Sequence, residues 1–506
     1  MSVHSGAMLQ GTADRLDPEP EPLFAQARAA IIWRSGAQIV GQLITWGATF
    51  LVIRILDPRD YGLFAMTQVV LAFLNMLNGA GLTRGLIQQR DADERSIRQL
   101  YGMLIVLNFS LGALQFVLAP LAAAYFRQPI VADLLRVQSF LYFTTPFVAF
   151  PYALLARSID FKHQARVYLL SSVAGALAAL AGAFGGLGVW TLVVAPIALF
   201  TTRAIGMTIA SRHRYRPSFD FRGAGTLAKF GGIMATGQLF WLVQSQADVF
   251  VGGRVFSPQT LGYYTTGLFL TQILVSKFVP AINDVVFSIY ARMQSDLTGV
   301  ALGFLRSARM VMLVAMPFYI GLAVIAEPLV AVVLGPKWLA AAPLVRLLAL
   351  SMPAMTMQVL FSPVCDALGR PGVGLKTGII GAVIMPASFL IGIYWGVTGL
   401  AASWLVGYPI YLAITAALAL PVIGVSARTL IGAVMPVMIA ALAMGAAVLA
   451  VDGWLPVLTP QVRVPILVAI GVTVYLGWLC VFARATLYEA IDMARGRQPV
   501  RVTSAA

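Results

Sequence analysis

The 506-residue chain reads as an all-α polytopic membrane protein with about fourteen transmembrane helices, arranged as two parallel six-helix lobes around a central cavity plus two C-terminal helices. Three observations predict this. Apolar residues make up 59% of the chain, charged residues 11%, and the mean hydropathy is +0.84. A soluble chain carries roughly 25% charged residues, so lipid has to be the solvent for this much apolar surface. Apolar segments of roughly 20–26 residues, long enough to cross a bilayer core, recur from end to end. Lysine and arginine are shared unevenly between alternate loops.

The spans fall near 31–56, 62–86, 101–125, 130–156, 166–186, 189–210, 230–254, 261–288, 308–334, 343–368, 373–395, 397–420, 430–451 and 463–486. No strand-like alternation persists, and backbone groups in lipid must be satisfied within their own segment, so the spans are helices. Residues 1–30 form the long polar stretch. Asp17-Pro-Glu-Pro-Glu-Pro22 is rich in helix-breaking proline and reads as a disordered cytosolic tail. It lacks a basic start followed by a short apolar core and a cleavage site, so the first span is expected to serve as the targeting signal. Residues 487–506 read as a second cytosolic tail.

Charge orients the spans. With the N-terminus inside, the inner loops collect Arg84 to Arg98, Arg157 to Arg166, Arg212 to Lys229, Arg292 to Arg309, Arg370, Lys376, Arg428 and the tail arginines. The outer loops hold Arg54, Arg59, Arg127, Arg136, Arg254, Lys337, Arg346 and Arg463, while Arg34, Arg203 and Lys277 lie within spans. A bias of roughly three to one is the positive-inside pattern and puts both termini in the cytoplasm. It also accounts for the net charge of +15 without any nucleic acid.

A duplication runs through the chain at an offset of 200 residues. Arg54-Ile-Leu-Asp-Pro58-Arg-Asp-Tyr-Gly62 lies over Arg254-Val-Phe-Ser-Pro258-Gln-Thr-Leu-Gly262, with Gln38 over Gln238 and Phe50 over Phe250 in the same register. Each unit holds an even number of spans, so both enter the membrane from one side and form parallel lobes, 31–210 and 230–420. Spans 430–486 stand outside the repeat.

Polar side chains inside spans mark the candidate cavity. The first span carries Arg34, Gln38, Gln42, Thr45 and Thr49 on one helical face. Its repeat partner carries Gln238, Ser245 and Asp248. The second span offers Gln68, Asn75 and Asn78, and the eighth offers Lys277. Two readings stand side by side: these groups line a wet cavity, or the uncharged ones bond neighbouring helices. Arg34 sits one turn inside the membrane and could instead extend to the interface. Arg54 and Arg254 fall at the outer mouth, where headgroup anchoring or helix capping competes with a binding role. Prolines inside spans, such as Pro146, Pro280, Pro353 and Pro409, remove helix hydrogen bonds and introduce kinks.

Enzyme signatures are missing. Gly369-Arg-Pro-Gly-Val-Gly-Leu-Lys376-Thr resembles a phosphate-binding loop, but Leu375 stands where lysine should follow Gly374. Cys365 and Cys480 lie in apolar runs, and His4, His163 and His213 are scattered, so no metal site and no cofactor is expected.

In order and spacing, several motifs together resemble the polysaccharide transporter (Wzx-like) family of the MOP flippase superfamily. They are the two copies at Arg54–Gly62 and Arg254–Gly262, Arg157-Ser-Ile-Asp-Phe-Lys162, Gly186-Leu-Gly-Val-Trp190, Arg216-Pro-Ser-Phe-Asp-Phe221 and Gly335-Pro-Lys-Trp338. The resemblance spans roughly residues 30–420 and implies a bacterial inner-membrane flippase for undecaprenyl-diphosphate-linked oligosaccharide in cell-surface polysaccharide biosynthesis. On that reading Lys277 and Arg34 bind phosphate, the glutamines and asparagines bind sugar hydroxyls, and Asp248 couples transport to an ion gradient. The implied partners are membrane lipid, the lipid-linked glycan, and polymerase and chain-length machinery. A cation-coupled exporter of small drugs shares the fold; a cavity rich in carboxylates and aromatics would favour it. A membrane enzyme of envelope biosynthesis is a third reading.

Overall fold

The computed structural model describes residues 20–78, 83, 93–157, 161–212, 215–222, 225–456 and 458–494, and these are helical almost throughout. The first half comprises α1 (Pro20–Ile55), α2 (Pro58–Asn75), α3 (Glu94–Phe126), α4 (Ile130–Gln138), α5 (Phe140–Arg157), α6 (Phe161–Phe184) and α7 (Thr191–Ser211). The second comprises α8 (Gly225–Val255), α9 (Pro258–Lys277), α10 (Val279–Arg292), α11 (Leu297–Val324), α12 (Ala326–Val333), α13 (Ala342–Val359), α14 (Phe361–Ala367), α15 (Pro371–Gly392) and α16 (Gly396–Ile423). Three helices close the chain: α17 (Ala427–Asp452), α18 (Pro460–Phe482) and α19 (Arg484–Ala494).

Among the described residues, ten stretches are long and apolar enough to cross a membrane, and one of them, Pro371–Ile423, contains both α15 and α16. The helices α2, α8 and α9 are not among the ten. These helices carry Gln68 and Asn75, Gln244 and Gln246, and Gln259, Gln272 and Lys277, while α1, which carries Gln38, Gln42, Thr45 and Thr49, is among the ten.

The same packing pairs occur twice. In the first half α1 lies on α6, α6 on α7, α5 on α7 and α3 on α5; in the second α8 lies on α15, α15 on α16, α13 on α16 and α11 on α13. One-turn 3₁₀ helices, Gly188–Trp190 and Ile393–Trp395, precede α7 and α16 in matching positions. The helix starts are also duplicated. Proline occupies the first turn of both α2 and α9, where its missing N–H costs nothing. Asp57 and Ser257 precede these prolines, and the Ser257 hydroxyl accepts from the Thr260 N–H at 3.2 Å.

Two expectations are corrected: the irregularity of the N-terminal tail and the continuity of four spans. The tail 1–30 is not wholly irregular, because α1 starts at Pro20: proline is harmless in a first helical turn, and helix then propagates through Leu23–Arg28. The expected C-terminal tail from residue 487 begins within helix α19. Helix α19 lies back on the bundle, and its Glu489 bridges Arg306 at 3.0 Å and Arg309 at 2.7 Å on α11. Arg309 also donates to the Ala433 carbonyl of α17 at 3.3 Å, so one carboxylate ties three helices together. The fourth, eighth, ninth and tenth spans are each broken in two. The α9–α10 break falls at Phe278, where Pro280 cannot donate to the preceding turn. Pro146, Pro353 and Pro409 remain inside continuous helices.

Between the halves the chain is strapped to the start of α3. The Ser218 N–H donates to the Arg98 carbonyl at 2.9 Å, and the Gln99 amide donates to the Asp220 and Arg222 carbonyls at 2.8 and 3.0 Å. Arg95 pairs with Asp220 at 3.1 Å. This strap belongs to the end that charge placement assigns to the cytoplasm. Reporter fusions after Ser218 and after Ser504 should therefore both give cytoplasmic signals; a periplasmic signal from either overturns the orientation.

Candidate functional site: a cavity between the repeats

The two copies of the duplicated motif meet each other. A Cβ built on Gly62 would run into the Pro258 carbonyl, and one built on Gly262 would run into the Pro58 carbonyl. Contact of residue i with j′ and of j with i′ is what a two-fold relation produces. Glycine is required at both positions because the backbones of α2 and α9 cross without room for a side chain.

Further bonds join the halves around this crossing. Lys337 donates to the Ile55 carbonyl at 2.6 Å and pairs with Asp57 at 3.2 Å. The buried Trp338 indole donates to the Ile53 carbonyl at 2.8 Å and stands edge-on to Tyr61 and Tyr263. Arg254 donates to the Ala124 and Tyr125 carbonyls at the end of α3 and lies over the Tyr125 ring, while Tyr125 stacks on Phe250. Arg254 thus caps a helix C-terminus, where a cation is favoured. Arg54 lies against Gly335 in the loop before Lys337. Of the two arginines, Arg254 is bonded into this end, while Arg54 is exposed beside Gly335.

Beyond that closure lies a cavity of about 780 Å3. The first half supplies Gln42, Thr45 and Thr49 from α1, Gln68 from α2, Tyr168 and Ser172 from α6, and Thr191 and Arg203 from α7. The second half supplies Ser245 and Gln246 from α8, and Thr265, Gln272 and Lys277 from α9. Gln42 reaches the cavity because Gly41 lets α1 close onto α6; a Cβ there would sit 2.8 Å from the Tyr168 ring. The Thr45 and Thr49 hydroxyls donate to the Gly41 and Thr45 carbonyls of their own helix at 2.8 Å, which leaves oxygen lone pairs toward the cavity.

Of the residues expected in the cavity, the structure brings Gln42, Thr45, Thr49, Gln68, Ser245 and Lys277 to it. Lys277 is the last residue of α9, exposed at the proline break. Gln38 and Asn75 are exposed and do not line the cavity, because both lie beyond the stretch where the lobes face each other. Asn78 also lies off the lining; its carbonyl accepts from the Asn108 amide at 3.1 Å, a helix–helix bond. The side chains of Arg34 and Gln238 lie outside the described residues. Asp248 is fully buried behind the wall: one carboxylate oxygen accepts from the Tyr264 hydroxyl at 2.7 Å, and the Trp404 indole donates to that hydroxyl at 2.7 Å. Its other oxygen has no partner among the described residues.

The sequence reading missed Arg203, Tyr168 and Ser172. A mid-span arginine was the available signal for the first, whereas the seam of α6 against α7 has no polar stripe to read. Among the described lining residues there are two cations, Arg203 and Lys277, and no carboxylate.

Two repeated helical bundles closing on a cavity define an all-α polytopic membrane fold. The chain belongs to the family described as polysaccharide biosynthesis protein, whose pattern matches residues 51–343. It is 26% identical to the succinoglycan biosynthesis transport protein ExoT of Rhizobium meliloti (strain 1021), over 92% of this chain and 95% of that one. It is 24% identical to the teichuronic acid biosynthesis protein TuaB of Bacillus subtilis (strain 168), over 68% and 74%, and 22% identical to the lipopolysaccharide biosynthesis protein WzxC of Escherichia coli (strain K12), over 58% and 60%. Among solved structures, the lipid II flippase MurJ in an inward closed conformation shares the fold at TM-score 0.74 and 12% identity, covering 90% of this chain and 100% of that one. An inward-facing MATE multidrug transporter follows the same fold at TM-score 0.57 and 15% identity, over 78% and 98%.

Proposed function

We propose that this protein flips an undecaprenyl-diphosphate-linked oligosaccharide from the cytoplasmic to the periplasmic leaflet of a bacterial inner membrane, for export of a surface polysaccharide. The observation that carries the reading is the character of the cavity wall: two cations, several amides and hydroxyls, and no carboxylate among the described lining residues. A cavity that exports cationic drugs needs the opposite sign. An anionic headgroup bearing sugars is matched by Lys277 and Arg203 for charge, and by Gln42, Gln68, Gln246 and Gln272 for hydroxyls, while the polyprenyl chain stays in lipid. Rocking of the lobes that parts the Gly62–Gly262 crossing would expose the headgroup on the far side. Asp248 remains the candidate for coupling. One of its oxygens has no partner among the described residues, and repacking of α8, α9 and α16 would change what surrounds it, so a proton or sodium ion would supply the compensation.

Deletion of the gene in its own host tests this. Surface polysaccharide should be lost and the lipid-linked glycan should accumulate in the cytoplasmic leaflet, with both reversed by the plasmid-borne gene. Unchanged polysaccharide together with raised sensitivity to cationic drugs would overturn it in favour of the exporter reading.

A further inference from the structure

The most constrained charge in the cavity is Arg203. It lies twelve residues into α7, roughly 18 Å along the helix from Thr191, so it is well within the membrane-spanning length. Its guanidinium lies 4.7 Å from the centre of the Tyr168 ring and 5.5 Å from that of Phe200. Its Nε donates to the Ser171 hydroxyl at 3.1 Å. That hydroxyl is itself oriented, because it donates to the Tyr168 carbonyl at 2.8 Å. Two aromatic contacts and one directional hydrogen bond therefore fix the head. Among the described residues the hydrogen bond of Arg203 is the one from Nε to Ser171, and no ion pair engages it.

We infer that Arg203 is the docking point for a planar or tetrahedral oxyanion of the cargo, distinct in depth and in kind from Lys277. A guanidinium fork held at Nε presents its two terminal N–H₂ groups side by side, the arrangement that binds carboxylate or phosphate oxygens in pairs. Lys277, by contrast, is a flexible point charge at the broken end of α9, on the other lobe. The two would act in sequence: Lys277 draws the anion in at the mouth, and Arg203 fixes its geometry further along the cavity. The inference rests on the flippase reading for the cargo but not for the binding itself. The oxyanion could belong to the diphosphate of the carrier or to an acidic sugar.

Purified full-length protein in detergent can be titrated with farnesyl diphosphate in one arm and octyl glucuronide in the other. The wild-type protein should bind at least one of them, more weakly at high salt. Arg203→Gln should weaken that binding by 10- to 100-fold, and Arg203→Lys should recover less than a third of the loss, since it restores charge without the fork. Ser171→Ala should weaken binding about three- to tenfold through lost orientation. The arm that responds identifies the source, diphosphate or uronate. A purely structural arginine would instead lower the melting temperature in both Arg203 variants and leave the affinities of the folded fraction at the wild-type value; that result, or no binding of either probe by wild type, overturns the inference. Failure of the flippase reading is separable, because it would show as normal polysaccharide in the deletion strain whatever the binding result.

Discussion

Lys277→Ala is expected to abolish glycan export while the protein inserts and accumulates at the wild-type level. Lys277 lines the cavity at the end of α9, where the helix breaks before Pro280, and no ion pair holds it among the described residues. An ammonium with no ion pair among the described residues has no packing task evident there, so its removal should leave the fold intact; the side chain of Asp284, the structural alternative as a partner, lies outside the described residues. Lys277→Arg should retain part of the activity, because a mobile cation at a mouth works through charge more than through the shape of its head. Export measured as surface polysaccharide, with membrane-fraction immunoblots for protein level, separates the outcomes. Full export by a well-accumulated Lys277→Ala protein would remove Lys277 from the binding machinery; loss of the protein itself would show a structural role instead.

The second large effect concerns the closed end. Linking Asp57→Cys to Lys337→Cys with a short, reducible bismaleimide should block export completely, and cleavage of the linker should restore it. These side chains pair at 3.2 Å across the crossing of α2 and α9, so a covalent bridge holds together the surfaces that must part. Gly62→Ala tests the same closure from the other direction. The added methyl meets the Pro258 carbonyl, and overpacking of this kind costs about 1–3 kcal/mol. The variant should label faster than wild type with an impermeant thiol reagent at Ser257→Cys, in a background where the exposed Cys480 is replaced. Undiminished export by the cross-linked protein would mean that this end does not open during transport.

Each of these expectations draws on a different level of the chain. The membrane class, the helices and the duplication were legible in the sequence, since they depend on hydropathy, helix-start signals and register, which are local or periodic. The repeat at Arg54–Gly62 and Arg254–Gly262 was visible as letters, as was the motif Gly335–Trp338. What the letters did not carry is that the two repeats touch, or that Trp338 is wedged between them by its bond to Ile53; those are relations between residues up to 285 positions apart. The cavity divided in the same way. Gln42 and Lys277 were recognisable as polar residues in apolar spans, but a polar stripe does not say which part of it faces the other lobe. Gln38 and Asn75 share stripes with cavity residues and still fall outside the lining. Asp248 read as a cavity carboxylate, yet Tyr264 and Trp404 enclose it in the second lobe. Arg203 was visible as a mid-span cation and given no task. Its surroundings emerge only when α6 packs on α7 and sets Tyr168, Ser171 and Phe200 around the guanidinium. Composition and periodicity determine which segments lie in the membrane, because transfer free energy acts residue by residue. Only the packing of the helices decides which of their polar groups meet, because that depends on the rotation and closeness of each helix, and here glycines at 41, 62 and 262 set both.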